Sequence, residues 1–79
     1  MRLDKYLKVS RIIKRRTVAN EVCDAGRVQV NGRTARASYE VKIGDVIETK
    51  FGERTLRIKV LSTEEKTGKD ASREMFESV

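Results

Sequence analysis

The chain has 79 residues, 38% apolar and 38% charged, with a formal net charge of +6. A chain of that length folds as one small domain that buries only about 60% of the surface its unfolded form exposes, which leaves no room for a large internal active site. Apolar runs stop at two residues, as at Ile12-Ile13 and Val46-Ile47, so no membrane span or signal-peptide core can be placed and a cytoplasmic location is expected; a single cysteine, Cys23, without any histidine leaves no internal disulfide and no ordinary zinc site.

The positive charge is concentrated at the start. Residues 1 to 16 hold seven Lys/Arg against one acid, Asp4, whereas residues 17 to 79 hold eleven against eleven. The excess of +6 therefore belongs to the first 16 positions. A solvated face intersperses its signs, so this asymmetry points to a polyanionic partner. Leu3, Tyr6 and Leu7 recur at helical spacing and predict a first helix of about two turns beginning near Arg2. Asp4 falls in its first turn, either as a capping acid or as a group that orients a neighbouring arginine.

Thr17 is the candidate N-cap of a second helix, with Val18, Ala19, Val22 and Cys23 as its apolar stripe, Asn20, Glu21 and Asp24 outward, and Gly26 as its stop. On that stripe Cys23 reads as a small core residue, since no histidine could act as its base. In "RVQVNGRTA" the Asn31-Gly32 pair predicts a tight hairpin with a type I′ turn. Two-residue pairing sets Arg33 against Val30, so the return strand is expected to be short or bent. "EVKIGDVIETKF" and "RTLRIKVLS" alternate as two strands, with turns at Gly44-Asp45 and Gly52-Glu53, the latter of type II′.

The expected fold is therefore α+β: two short N-terminal helices packed on a small antiparallel sheet over residues 1–61, then a polar tail over 62–79. In the tail, Ser72 to Ser78 read as a helical turn docking Met75 and Phe76, or as an end that orders on a partner, with fraying as the default.

This arrangement locates the candidate site. Arg15 and Arg16 fall where the second helix begins, and a helix N-terminus already favours an anion through its unpaired N–H groups and dipole. Guanidinium forks there can clamp a phosphate or stack on an unpaired base. Lys5, Lys8 and Arg11, at i, i+3 and i+6, extend the surface along the first helix, with Lys14 beside the pair. Arg27, Arg33 and Arg36 add a second ridge from the hairpin. No long recognition helix or dimerising heptad is present, and few aromatics are available for a stacking platform, so structured RNA fits better than duplex DNA or generic single strands.

"RLDKYL", "RRTVANEV", "AGRVQVNG" and "VKIGDVI", in that order and spacing over about residues 2 to 50, resemble the alpha-L RNA-binding motif, the module named after the fourth protein of the small ribosomal subunit. Where the common pattern has Ser-Arg before the second helix, this chain has Arg15-Arg16. The free-standing length and "KVSRIIKRRT" are most similar to the small bacterial ribosome-associated quality-control factors, relatives of the fifteen-kilodalton ribosome-associated heat-shock protein. That resemblance implies binding to large-subunit ribosomal RNA and to tRNA on obstructed subunits carrying peptidyl-tRNA, assisting alanine-tail elongation beside a tailing partner protein. It points first to Arg2, Asp4 and Arg16 as site residues. A monomer without cofactor is expected.

Such a module often precedes RNA-modifying catalytic domains, but this chain has no histidine, paired-carboxylate site or phosphate-cradling glycine loop, so a non-enzymatic role is expected. The competing readings are a heat-shock-type recycling factor that moves stalled peptidyl-tRNA, and a basic protein-docking module.

Overall fold

The computed structural model describes residues 1–64 and 75–79. Helix α1 spans Leu3–Val9 and α2 spans Arg16–Asp24; the strands are β1 Val28–Val30, β2 Arg33–Thr34, β3 Val46–Phe51, β4 Arg54–Val60 and β5 Phe76–Ser78. The strands form one antiparallel sheet in the order β2-β1-β3-β4-β5. This is the α+β arrangement the alternating strands and amphipathic helices predict.

The helices cover the apolar face of the sheet. Leu3, Tyr6 and Leu7 from α1 join Ala19 and Cys23 from α2, Val28 and Val30 from β1, Ile47 from β3, and Ile58 and Val60 from β4. Burying each large apolar side chain contributes about 1.5–3 kcal/mol, the main term available to so small a domain. The stripe of α2 is narrower than its sequence suggests: Ala19 and Cys23 are buried, Val22 is half-buried, and Val18 stands exposed.

Both helices end on a left-handed residue. Behind α2, Gly26 adopts φ 78°, its N–H bonding the Cys23 carbonyl while the Arg27 N–H reaches Val22. That geometry is the helix stop its position predicts. Behind α1, Arg11 takes the same place with φ 65° and donates to the Lys8 carbonyl. Arg11 therefore lies past the end of α1 and does not continue the Lys5-Lys8 row, because a left-handed residue turns the chain away from the helix axis.

The start of α2 also differs from expectation. Arg15, extended at φ −118° and ψ 130°, is the N-cap, its carbonyl accepts from the Ala19 N–H, and Thr17 lies inside the first turn. No side chain caps this end, and no acid stands in the first turn. Preference for a hydroxyl cap gives way to a tertiary anchor on Arg16, described below.

The hairpin follows its turn chemistry. Asn31 and Gly32 have φ 53° and 81°, as a type I′ turn requires, and β2 is only two exposed residues, with Arg33 opposite Val30. Between β3 and β4, Gly52 carries positive φ, 57°, as expected of a type II′ turn. The largest departure is at the C-terminus. Phe76–Ser78 form β5 against β4 instead of a helical turn, while the rest of the expected turn, at 72–74, lies outside the described residues. Met75 is fully buried, and its carbonyl accepts from the Tyr6 hydroxyl at 2.6 Å and from the Leu61 N–H at 2.8 Å. Fraying thus does not describe Met75–Val79; pairing with β4 and burial of Met75 offset the cost of ordering it.

Candidate nucleic-acid interface

The junction of the two helices is organised by one carboxylate. Asp4, in the first turn of α1, is 3% exposed yet holds three side-chain donors. Its Oδ1 lies 3.3 Å from Arg2 Nε, and its Oδ2 accepts from Arg16 Nε at 3.4 Å and from Asn20 Nδ2 at 3.3 Å. The Lys5 N–H adds a fourth contact to Oδ1 at 2.8 Å. Arg16 and Asn20 are four residues apart and so share one face of α2, which is why one acid on α1 can reach both.

Burial on its own raises the Asp4 pKa. The Asn20 amide, the Lys5 N–H and the Arg16 guanidinium together outweigh it and hold the carboxyl below its ordinary value of 3.8. Asp4 is therefore ionised at neutral pH. The arginine side chains remain 49% exposed, and at that exposure each ion pair adds about 0–1 kcal/mol. Their value is positional: Asp4 engages both arginines through Nε and so holds two half-exposed guanidinium groups at one corner. Two cations on one anion leave a net positive corner at the uncapped start of α2, a geometry suited to a phosphate.

A shallow cavity of about 380 Å³ opens here, lined by Asp4, Arg16, Thr17, Asn20 and Glu21. The structure thus joins Arg2 with Arg16, whereas Arg15, one residue earlier, is an exposed N-cap outside the Asp4 cluster. Lys8 is exposed in the last turn of α1, and Arg11 and Lys14 are exposed in the connection between the helices. Lys5 is half-buried.

On the hairpin side, Arg33 and Arg36 line one groove of about 710 Å³ with Asn31, Ser38 and Tyr39, while Arg27 is exposed at the start of β1 and is not part of that groove. The groove sits beside the Asp4 corner because the Leu3 and Asp4 N–H groups donate to the Tyr39 and Ala37 carbonyls at 2.8 and 3.2 Å. From the other helix, Asp24 accepts from the Ala37 N–H at 3.1 Å.

Two organising residues escaped sequence reasoning. Asn20 looked outward-facing, and only its i+4 spacing from Arg16 could have signalled a shared partner. Asp45 looked like a turn residue, yet it is 8% exposed and accepts from Asn31, Tyr39 and the Lys42 N–H. Cys23 is buried as expected; burial chiefly, helped by the charges of Asp4 and Asp24, pushes its thiol up to about 12. Among the described residues no group of acids and cysteines could hold a metal ion, and no helix is long and apolar enough to cross a membrane.

Residues 1–47 match the S4 domain. Over all 79 residues the chain is 53% identical to the RQC P-site tRNA stabilizing factor of Streptococcus pneumoniae, covering 90% of that protein. It is 47% identical to the protein of the same name from Bacillus subtilis over 96% of this chain and 88% of the relative. The fold superposes on a trimeric structure of Vibrio cholerae Heat Shock Protein 15 with a TM-score of 0.91 at 28% identity, covering 100% of this chain and 81% of that one. The chain belongs to the S4 domain family, in the branch that contains the RQC P-site tRNA stabilizing factors.

Proposed function

We propose that this protein is a non-enzymatic RNA-binding factor of the large ribosomal subunit that steadies P-site peptidyl-tRNA on obstructed subunits during ribosome-associated quality control. It works as a cytoplasmic monomer, contacts large-subunit ribosomal RNA and the tRNA backbone together, and so assists alanine-tail elongation by a separate tailing partner. The names of the relatives support this reading. The observation that carries it is the Asp4 hub, which holds Arg2 and Arg16 beside the uncapped start of α2 with about half of each side chain exposed. Arg2 and Arg16 are the primary phosphate contacts and Asp4 is a positioning residue. Lys5, Lys8, Arg11, Lys14 and Arg15 enlarge the field on one side, and Arg27, Arg33 and Arg36 on the other.

Co-sedimentation with large subunits bearing peptidyl-tRNA tests this. Arg16→Glu should abolish the association, while Arg54→Glu, an exposed change at the far β3–β4 turn, should leave most of it. Equal losses, or association that survives on nuclease-treated, protein-only material, would remove the RNA reading.

A further inference from the structure

Helix α2 carries its charges against its own dipole at both ends. Arg15 and Arg16 stand at the N-terminal end, where an acid would be favoured, and Asp24 is the last residue of the C-terminal end, where a base would be. No acid occupies the first turn and no base the last. RNA contact accounts for the two arginines. It does not account for Asp24, an exposed acid that disfavours its own helix and adds negative charge to a protein that meets a polyanion.

What Asp24 holds is the backbone that caps the other helix. Its Oδ1 accepts from the Ala37 N–H at 3.1 Å, and Ala37 is buried, so that N–H needs an acceptor within the protein. No side chain caps α1. Its first two N–H groups, on Leu3 and Asp4, instead donate to the Tyr39 and Ala37 carbonyls at 2.8 and 3.2 Å. An antiparallel bridge between Arg2 and Glu40, and a bond from the Val41 N–H to the Met1 carbonyl at 2.9 Å, complete the splint along the start of the chain. Ala37 is thus held by Asp24 through its N–H and holds Asp4 through its carbonyl.

We infer that Asp24 is a positioning residue for the Arg2-Asp4-Arg16 corner, acting through Ala37, an inference that rests on the RNA-binding function proposed above. The start of α1 is tied to both ends of α2: directly to the N-terminal end by the bond between Asp4 and Arg16, and to the C-terminal end through Ala37 and Asp24. Two separated anchors fix the angle of α1 against α2, which a single bond does not. A residue that breaks the preference of its own helix marks a place where local stability yields to placement.

Full-length Asp24→Ala, Asp24→Lys and Asp24→Asn test this through three readouts: affinity for large subunits bearing peptidyl-tRNA, thermal melting, and the amide resonances of Leu3 and Asp4. Simple electrostatics has all three variants bind more tightly than the native protein, because each removes an acid that repels RNA. Positioning reverses that order. Asp24→Ala and Asp24→Lys should bind on the order of fivefold more weakly, the factor of one lost hydrogen bond, and should shift the Leu3 and Asp4 resonances. Their melting temperatures should stay near the native value, since relief at the helix end offsets the missing bond. Asp24→Asn keeps an acceptor oxygen, so it should bind at least as tightly as the native protein and leave both resonances in place. Alanine and lysine variants that bind as well as or better than the native protein, or unmoved Leu3 and Asp4 resonances, would overturn the role of Asp24 and leave the proposed function standing. Weaker binding matched by a lower melting temperature would reduce Asp24 to a structural residue and overturn it as well. A native protein that does not bind these subunits would overturn both.

Discussion

Asp4 Oδ2 accepts a hydrogen bond from Arg16 Nε at 3.4 Å, tying the first turn of α1 to the first residue of α2 across twelve positions of sequence. The carboxylate is buried and the guanidinium is half in solvent, so the bond orients the arginine more than it stabilises the fold. Removing the acid should accordingly harm binding beyond its effect on stability. Asp4→Ala should lower unfolding free energy by about 1–3 kcal/mol, measured by chemical denaturation, because the half-buried Asn20 amide and the Lys5 N–H lose their acceptor. RNA affinity should fall further than that loss of folded protein explains, as both Arg2 and Arg16 swing free.

The same carboxylate sets an acid limb. Its folded pKa lies below the ordinary 3.8, so its contribution to stability is complete above that value and is lost as pH falls through the folded pKa. Denaturation of the native protein and Asp4→Asn as a function of pH should show a constant stability difference near neutrality that shrinks only below about 3.8. A difference that shrinks between neutrality and mildly acidic pH would assign the titration to another group.

Arg11 is expected to separate stability from function. It occupies the left-handed helix-stop position that α2 gives to Gly26, and a non-glycine residue there carries strain of order 1 kcal/mol. Arg11→Gly should leave stability unchanged or raise it by up to about 1 kcal/mol, after the extra chain entropy of glycine is counted. RNA affinity should drop in the same variant. Arg11→Val should lose both. Thermal melts alongside binding isotherms read out the contrast.

At the other end of the molecule, Tyr6→Phe should cost about 0.5–1.5 kcal/mol, the worth of one ordinary hydrogen bond, because the Met75 carbonyl keeps its bond from Leu61. Amide exchange should quicken at Lys59 and Glu77, where β4 and β5 pair, more than at β1. Uniform acceleration would mean that Tyr6 holds the whole core rather than the C-terminal strand.

Elements governed by local chemistry were legible in the sequence. Leu3, Tyr6 and Leu7 mark α1, Gly26 marks the end of α2, and Asn31-Gly32 marks the hairpin, since each depends on periodicity or on a backbone angle that few residues adopt. Features made by distant partners were not. Thr17 is a better intrinsic cap than Arg15, but Asp4 draws Arg16 into the helix start, a contact invisible to local preference. β5 has a polar sequence and becomes a strand only because Val60 and Ile58 present an open edge to Phe76 and Ser78. Asn20 and Asp45 read as surface polar residues because Asp4, the partner of Asn20, lies sixteen positions away and Asn31, the farthest partner of Asp45, fourteen. For the site, charge concentration located the basic corner and the resemblance singled out Arg2, Asp4 and Arg16; the fold supplied the geometry, in which Asp4 joins Arg2 to Arg16 and Arg15 stands outside the cluster.

Salt dependence measures how far the basic surface is engaged. If about six phosphates are contacted, log affinity should fall with log salt at a slope near −5, and Arg16→Glu should flatten it. A flat response in the native protein would contradict phosphate clamping.

The most direct measurement is the density of this protein on an obstructed large subunit that still carries peptidyl-tRNA. The outer guanidinium nitrogens of Arg2 and Arg16 should lie within hydrogen-bond distance of RNA phosphates while Asp4 keeps both arginines in place. A bound protein whose Asp4 corner faces solvent, with RNA held elsewhere, would contradict the account.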